Sequence, residues 1–166
     1  MKKQSFRTCM ILTLGLAAGL TNASAQETPG LEGVWLSFVT PVSCDLPHLP
    51  VPNGVPFRGL NMFSHDGSMT NEAAFFMAGI PRKSGGLGGW RHTEAQMYTA
   101  TFRFFRYKDD GTFLGMRQVT LETITLNGHQ FTSFDRFQDF DASFPPQPIQ
   151  GLGTSGCNIE TAIRVH

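Results

Sequence analysis

The chain has 166 residues, 40% of them hydrophobic and 16% charged, with thirteen Lys and Arg balancing thirteen Asp and Glu. That length makes one ordinary domain with enough chain to bury a core, and it leaves no room for a second. The absence of a basic cluster argues against nucleic acid or an anionic membrane as the main partner.

Lys2, Lys3 and Arg7 precede an apolar run from Met10 to Leu20, and Ala23-Ser24-Ala25 follows it. This is the pattern of a secretory signal peptide, with an Ala-x-Ala cleavage site after residue 25. The run is too short to span a bilayer, which needs roughly 20 apolar residues, so no stable membrane anchor is expected. The expected organisation is therefore a signal peptide over 1–25 and a single domain over 26–166, exported to a periplasm or beyond the cell. Three of the thirteen basic residues lie in the signal, so the mature chain carries ten against thirteen acids, a formal charge of −3.

The sequence then reads as β structure, being rich in Phe, Gly and Thr without an Ala/Leu/Glu/Lys-rich stretch. Leu31 to Thr40 is a first strand, ended by a loop through Pro41, Pro47, Pro50, Pro52 and Pro56 that no central strand could contain. Phe57 to Ser64 and Ser68 to Phe76 form a hairpin around His65-Asp66-Gly67, since Asp-Gly supplies the positive φ of a tight turn. The following segment, MAGIPRKSGGLGG, reads as a mobile flap, with a short strand from Trp90 to Glu94 after it. Gln96 to Tyr107, Thr112 to Leu126 and His129 to Phe140 make a meander through turns at Lys108-Asp109-Asp110-Gly111 and Asn127-Gly128. A second Pro/Gly loop, Pro145 to Gly156, precedes a last strand from Cys157 to Val165. The sum is an all-β chain of about eight antiparallel strands and no major helix. A meander of this length must close or split into two sheets.

Cys9 leaves with the signal, and the remaining even pair, Cys44 and Cys157, is most simply a disulfide in an oxidising compartment. Closing so long a loop is worth about 4 to 5 kcal/mol in loop entropy. A bond between the end of the first strand and the start of the last favours closure into an up-and-down barrel.

Gly33-Val34-Trp35 near the mature N-terminus, the eight-strand meander and Arg164 on the final strand resemble the lipocalin and wider calycin pattern. The resemblance implies a calycin-like barrel in which Trp35 packs against the basic Arg164, with Gly33, Trp35 and Arg164 as structural residues. The chain lacks a second lipocalin motif and a C-terminal helix. The run FRFFRYKDDGTFLG with a late Cys is also similar to small exported bacterial proteins of unassigned function. In size and pattern the chain is similar as well to the allene oxide cyclase and dirigent barrels, which implies an isomerase or a radical-coupling guide.

Tyr98, Phe102 and Phe104 share one face of their strand and are the candidate ligand-lining residues. They either fill an eight-stranded interior or wall a cavity for one small lipophilic or aromatic molecule. Of the charges in mid-strand, Arg103, Arg106, Arg117, Glu122, Asp135, Arg136 and Glu160, most should face solvent. Glu122 and Glu160 are the candidate catalytic acids, each having an apolar or small residue two positions on. His48, His65, His92, His129 and His166 show no paired metal spacing; His92 and Glu94 could share a strand face, yet such a polar stretch is ordinarily a solvated one, so no metal is expected. Without a Gly-x-Ser-x-Gly elbow or a strand–Gly-loop–helix unit, no catalytic triad and no nucleotide cofactor are expected. Three readings follow: an exported barrel binding a small lipophilic molecule, a cofactor-independent isomerase or cyclase, and a filled barrel serving as an envelope or protein-interaction module.

Overall fold

The computed structural model describes residues 30–52, 54–74, 82–151 and 153–165. Among the described residues nine strands are present: β1 (Gly33–Val42), β2 (Phe57–Phe63), β3 (Ser68–Ala74), β4 (Arg82–Lys83), β5 (Gly86–Glu94), β6 (Met97–Tyr107), β7 (Phe113–Asn127), β8 (Gln130–Phe140) and β9 (Ser155–Val165). Eight of them form a closed antiparallel barrel, each pairing with its sequence neighbours and β1 with both β2 and β9. Strand β4 pairs with the upper end of β6, prolonging the ladder that β5 begins. Closure leaves no long unpaired edge. No helix among the described residues is long and apolar enough to cross a membrane.

The turns follow local chemistry. Gly67 takes φ +83° in the β2–β3 hairpin, and the Asp66 carboxylate accepts from the Ser68 amide and hydroxyl. Gly111 and Gly128 likewise hold positive φ at the β6–β7 and β7–β8 turns. The disulfide Cys44–Cys157 ties the chain just after β1 to the start of β9, with Cα atoms 5.2 Å apart. Such a bond is typical of proteins folded in an oxidising compartment.

One stretch departs from the sequence reading. Gly86 to Gly89, expected in a flap, are the first half of β5, and the strand begins four residues before Trp90. A Cβ on Gly88 would sit 2.0 Å from the Thr101 carbonyl oxygen and one on Gly86 2.8 Å from the Phe102 ring. These glycines therefore serve close approach of β5 to β6 and its side chains rather than flexibility. Arg82–Lys83 of the expected flap form β4, while its residues 77–81, the last two positions of the expected strand Ser68 to Phe76, and the expected signal peptide lie outside the described residues.

Strands β1, β3, β6 and β8 run one way and their partners the other, so the barrel has a lower end near Leu31 and an upper end where the two proline-rich loops emerge. The lower half is solid. Trp35, Phe63, Met69, Leu121, Ile124 and Phe131 are fully buried there, with Trp35 edge-on to Phe131 at 5.1 Å and Phe63 edge-on to Trp90 at 6.1 Å. The Arg164 guanidinium lies 4.3 Å from the Trp35 ring and donates to the Glu32 and Gly30 carbonyls. Gly33, at φ +119°, leaves the space this guanidinium occupies, for a Cβ would stand 2.7 Å from Arg164 Nη1. The Trp35 indole donates to Leu31 O at 2.8 Å, which plugs that end.

Candidate functional site

Above the aromatic core, inward positions turn polar. Asn61 on β2 and Asn71 on β3 are directly opposed and buried, and Asn71 Nδ2 donates to Asn61 Oδ1 at 2.8 Å. Asn61 Nδ2 in turn donates to Glu160 Oε1 at 2.6 Å. Glu160 hydrogen-bonds Asp135, and Ser133 Oγ donates to Asp135 Oδ1 at 2.6 Å. A chain of five polar side chains thus crosses the interior from β3 to β8. The Ser37 hydroxyl is buried beside Glu160, close enough to lower its pKa without a hydrogen bond of regular geometry.

The two carboxyl groups are the chemical centre of this layer. Both are buried, and among the described residues neither forms an ion pair. Burial raises Glu160 from its usual 4.5 to about 7, against the lowering effect of its hydrogen bonds. Burial also raises Asp135 well above the usual carboxylate range, and the neighbouring Glu160 charge adds to this. Two such groups in contact hold at least one proton between them at neutral pH, because ionising both would bury two adjacent negative charges.

Over this floor the barrel is open. A cavity of about 360 Å³ is lined by Asp135 and Glu160 below and by Val39, Phe102, Phe104 and Phe137 around its walls. Phe102 and Phe104 lie with ring centroids 6.3 Å apart. Lys83 reaches over the Phe104 ring at 5.0 Å, and burial lowers its pKa while Glu72, 3.8 Å away, opposes that. The wall on the β7 side is held by Arg117, bidentate to the buried Asp139 at 2.6 and 3.0 Å and 4.0 Å from the Phe137 ring; Arg106 also pairs with Asp139. Among the described residues, the inward charges Lys83, Arg106, Arg117 and Asp139 of the upper half thus each have an opposite partner, unlike the Asp135–Glu160 pair. A larger groove of about 620 Å³ lies along the outer wall beside Phe38, Arg58 and Ile163, but it holds no titratable pair.

Several residues singled out in the sequence separate here. Phe102 and Phe104 line the cavity, whereas Tyr98, on the same face, is buried in the lower core beside Trp90 and His92. Four residues of strand at about 3.3 Å each put Tyr98 some 13 Å below Phe102, under the polar layer. Glu160 is in the floor, while Glu122 is on the outside, paired to Arg136 at 2.8 Å with both side chains about half exposed. The reason is a β-bulge between Leu121 and Thr123, which breaks the two-residue period and sends Glu122 and Ile124 to opposite faces. His92 Nε2 donates to Ala95 O at 2.7 Å, and among the described residues no group of three or more His, Cys, Asp or Glu side chains is placed to hold a metal. The sequence reading did not single out Asn61 or Asn71, nor prefer Asp135. The available signal was the alternation Gly59-x-Asn61-x-Phe63, which puts an amide on a face that must be buried.

Neither a protein-family model nor a curated protein matches the chain. The eight-stranded closed barrel agrees with a calycin-like barrel in general shape.

Proposed function

We propose that this protein binds one small aromatic or lipophilic molecule in the upper half of its barrel, with a polar group of that molecule directed at the Asp135–Glu160 pair. The observation that carries this is the division of the interior. An aromatic core ends at a hydrogen-bonded polar layer, above which lies a cavity of about 360 Å³ with mainly apolar walls joined by Lys83 and Arg117. This is the makeup of a small-molecule site, mostly apolar with a few convergent polar groups. A carboxyl pair sharing a proton both donates and accepts, which suits a hydroxyl or carbonyl. The site is taken to work outside the cytoplasm, supported by the Cys44–Cys157 bond and the leader-like residues 1–25.

The test is titration with N-phenyl-1-naphthylamine, whose fluorescence rises on entering an apolar site. Phe102→Ala/Phe104→Ala should weaken binding about tenfold or more while the protein stays folded. Unchanged affinity in folded variant protein would remove the cavity from consideration.

The shared proton favours one second reading, a cofactor-independent isomerase or cyclase in which Glu160, near neutrality, exchanges a proton with a substrate held by the aromatic walls. In that case Glu160→Gln keeps binding and loses turnover.

A further inference from the structure

The upper end of the cavity carries a positive charge that the fold leaves under-compensated. Arg106 and Arg117 both pair with one carboxylate, the buried Asp139, and Arg117 spends two of its donors on it. The third cation, Lys83, is held differently. Its side chain is 10% exposed, whereas that of its acidic neighbour Glu72 is 69% exposed. Their separation of 3.8 Å is an ion pair without a hydrogen bond, and water around Glu72 screens it. Among the described residues the ammonium is seen to donate to the Ser84 carbonyl at 3.3 Å, while it has three hydrogens to give. It lies over the Phe104 ring, in the wall of the cavity. Burial lowers its pKa more than Glu72 raises it, as expected of a charge short of partners.

Its height in the barrel gives this charge a use. Lys83 is opposite Arg106 near the top of β6, and it stands three positions above Gly86, the residue opposite the floor residue Asn71. At about 3.3 Å per residue, that is about 10 Å above the polar layer. Phe102 and Phe104 line the wall in between. Three cations thus face two carboxylates at the upper level, one of them in solvent, while the floor is a carboxyl pair that keeps at least one proton. A cationic occupant would enter past three like charges. An anionic one meets a charge that it can neutralise, out of bulk water, where such a contact is strongest.

We propose that the occupant is a lipophilic monoanion, in the simplest case a small aromatic acid, whose acid group pairs with Lys83 while its rings lie against Phe102 and Phe104. Lys83 is then the residue that selects acids over neutral molecules of the same shape, and Glu72 is the exposed carboxylate that the ligand displaces. This rests on the cavity function proposed above and adds the charge of the ligand to it.

The experiment compares two dyes with one ring skeleton, neutral N-phenyl-1-naphthylamine and its sulfonate, 8-anilinonaphthalene-1-sulfonate, by fluorescence titration. Lys83→Met, which keeps an apolar stem over Phe104, should weaken the sulfonate about tenfold or more while the neutral dye changes less than about twofold. Lys83→Arg should restore the sulfonate, and Glu72→Gln should tighten it by removing the competing carboxylate. Arg58→Ala, in the groove on the outer wall, should leave both dyes as they are. Sulfonate binding that ignores Lys83→Met, that falls with Arg58→Ala instead, or that falls only in step with the neutral dye would each overturn the proposal. In those cases neutral-dye binding that still depends on Phe102 and Phe104 leaves the cavity reading standing. Neutral-dye binding that is absent, or indifferent to Phe102→Ala/Phe104→Ala, removes both.

Discussion

Replacing Glu160 by Gln should make the protein more stable at pH 8 and flatten its stability–pH profile. In the native state Glu160 has its pKa raised from 4.5 to about 7 by burial. Below about pH 4.5 the group is protonated folded and unfolded alike, and it contributes no penalty. Between 4.5 and 7 the unfolded chain releases this proton while the native chain keeps it, so stability falls as pH rises; above 7 the loss is complete. At about 1.4 kcal/mol per pKa unit the loss is on the order of 3 kcal/mol. Gln cannot titrate, keeps an oxygen for the Asn61 amide and offers its own amide to Asp135. Glu160→Gln should therefore exceed wild type by about 2 to 3 kcal/mol at pH 8 and match it near pH 4.5. Urea unfolding followed by tryptophan fluorescence at several pH values between 4.5 and 8 measures this. Glu122→Gln is the control: Glu122 is exposed and paired only with Arg136, so its profile should parallel the wild type within a few tenths of a kcal/mol. Parallel profiles for wild type and Glu160→Gln would refute the buried, proton-sharing pair.

Two further substitutions test the frame around the site. Gly88→Ala places a Cβ 2.0 Å from the Thr101 carbonyl oxygen and 2.5 Å from Phe102 Cα, backbone that cannot rotate away; it should destabilise by about 3 kcal/mol and lower the thermal midpoint by about 10 °C. An unchanged midpoint would mean that β5 does not approach β6 this closely. Arg164→Met keeps an apolar stem over Trp35 but loses the guanidinium's bonds to Glu32 and Gly30, and a loss of about 2 kcal/mol in urea unfolding is expected; no loss would show that the lower plug is ornamental.

The parts of this fold legible in the sequence are those governed by local rules. Strand β6 alternates buried and more exposed side chains from Met97 to Arg103, Asp66-Gly67 writes its own turn, and the two cysteines beyond the leader-like residues 1–25 leave one simple pairing. The Gly86–Gly89 run was misleading because glycine serves both mobility and close backbone approach, and only the Phe102 neighbour across the ladder distinguishes the two. Counting in twos from Ile124 gives Glu122 an apolar neighbour on its own face, and the bulge between Leu121 and Thr123 invalidates that count. The cavity floor was half legible. Glu160 stood out as an acid beside a small inward residue, but its partners Asp135, Asn61 and Asn71 come from β8, β2 and β3, and only the register of the closed barrel brings them together.

The most direct test of the binding function is mass spectrometry of protein purified from an exporting host, under native and then denaturing conditions. A small-molecule mass carried by the native protein, released on denaturation and absent from Phe102→Ala/Phe104→Ala, is the expected result. A bound molecule retained undiminished by that folded variant would contradict an occupant seated against these rings.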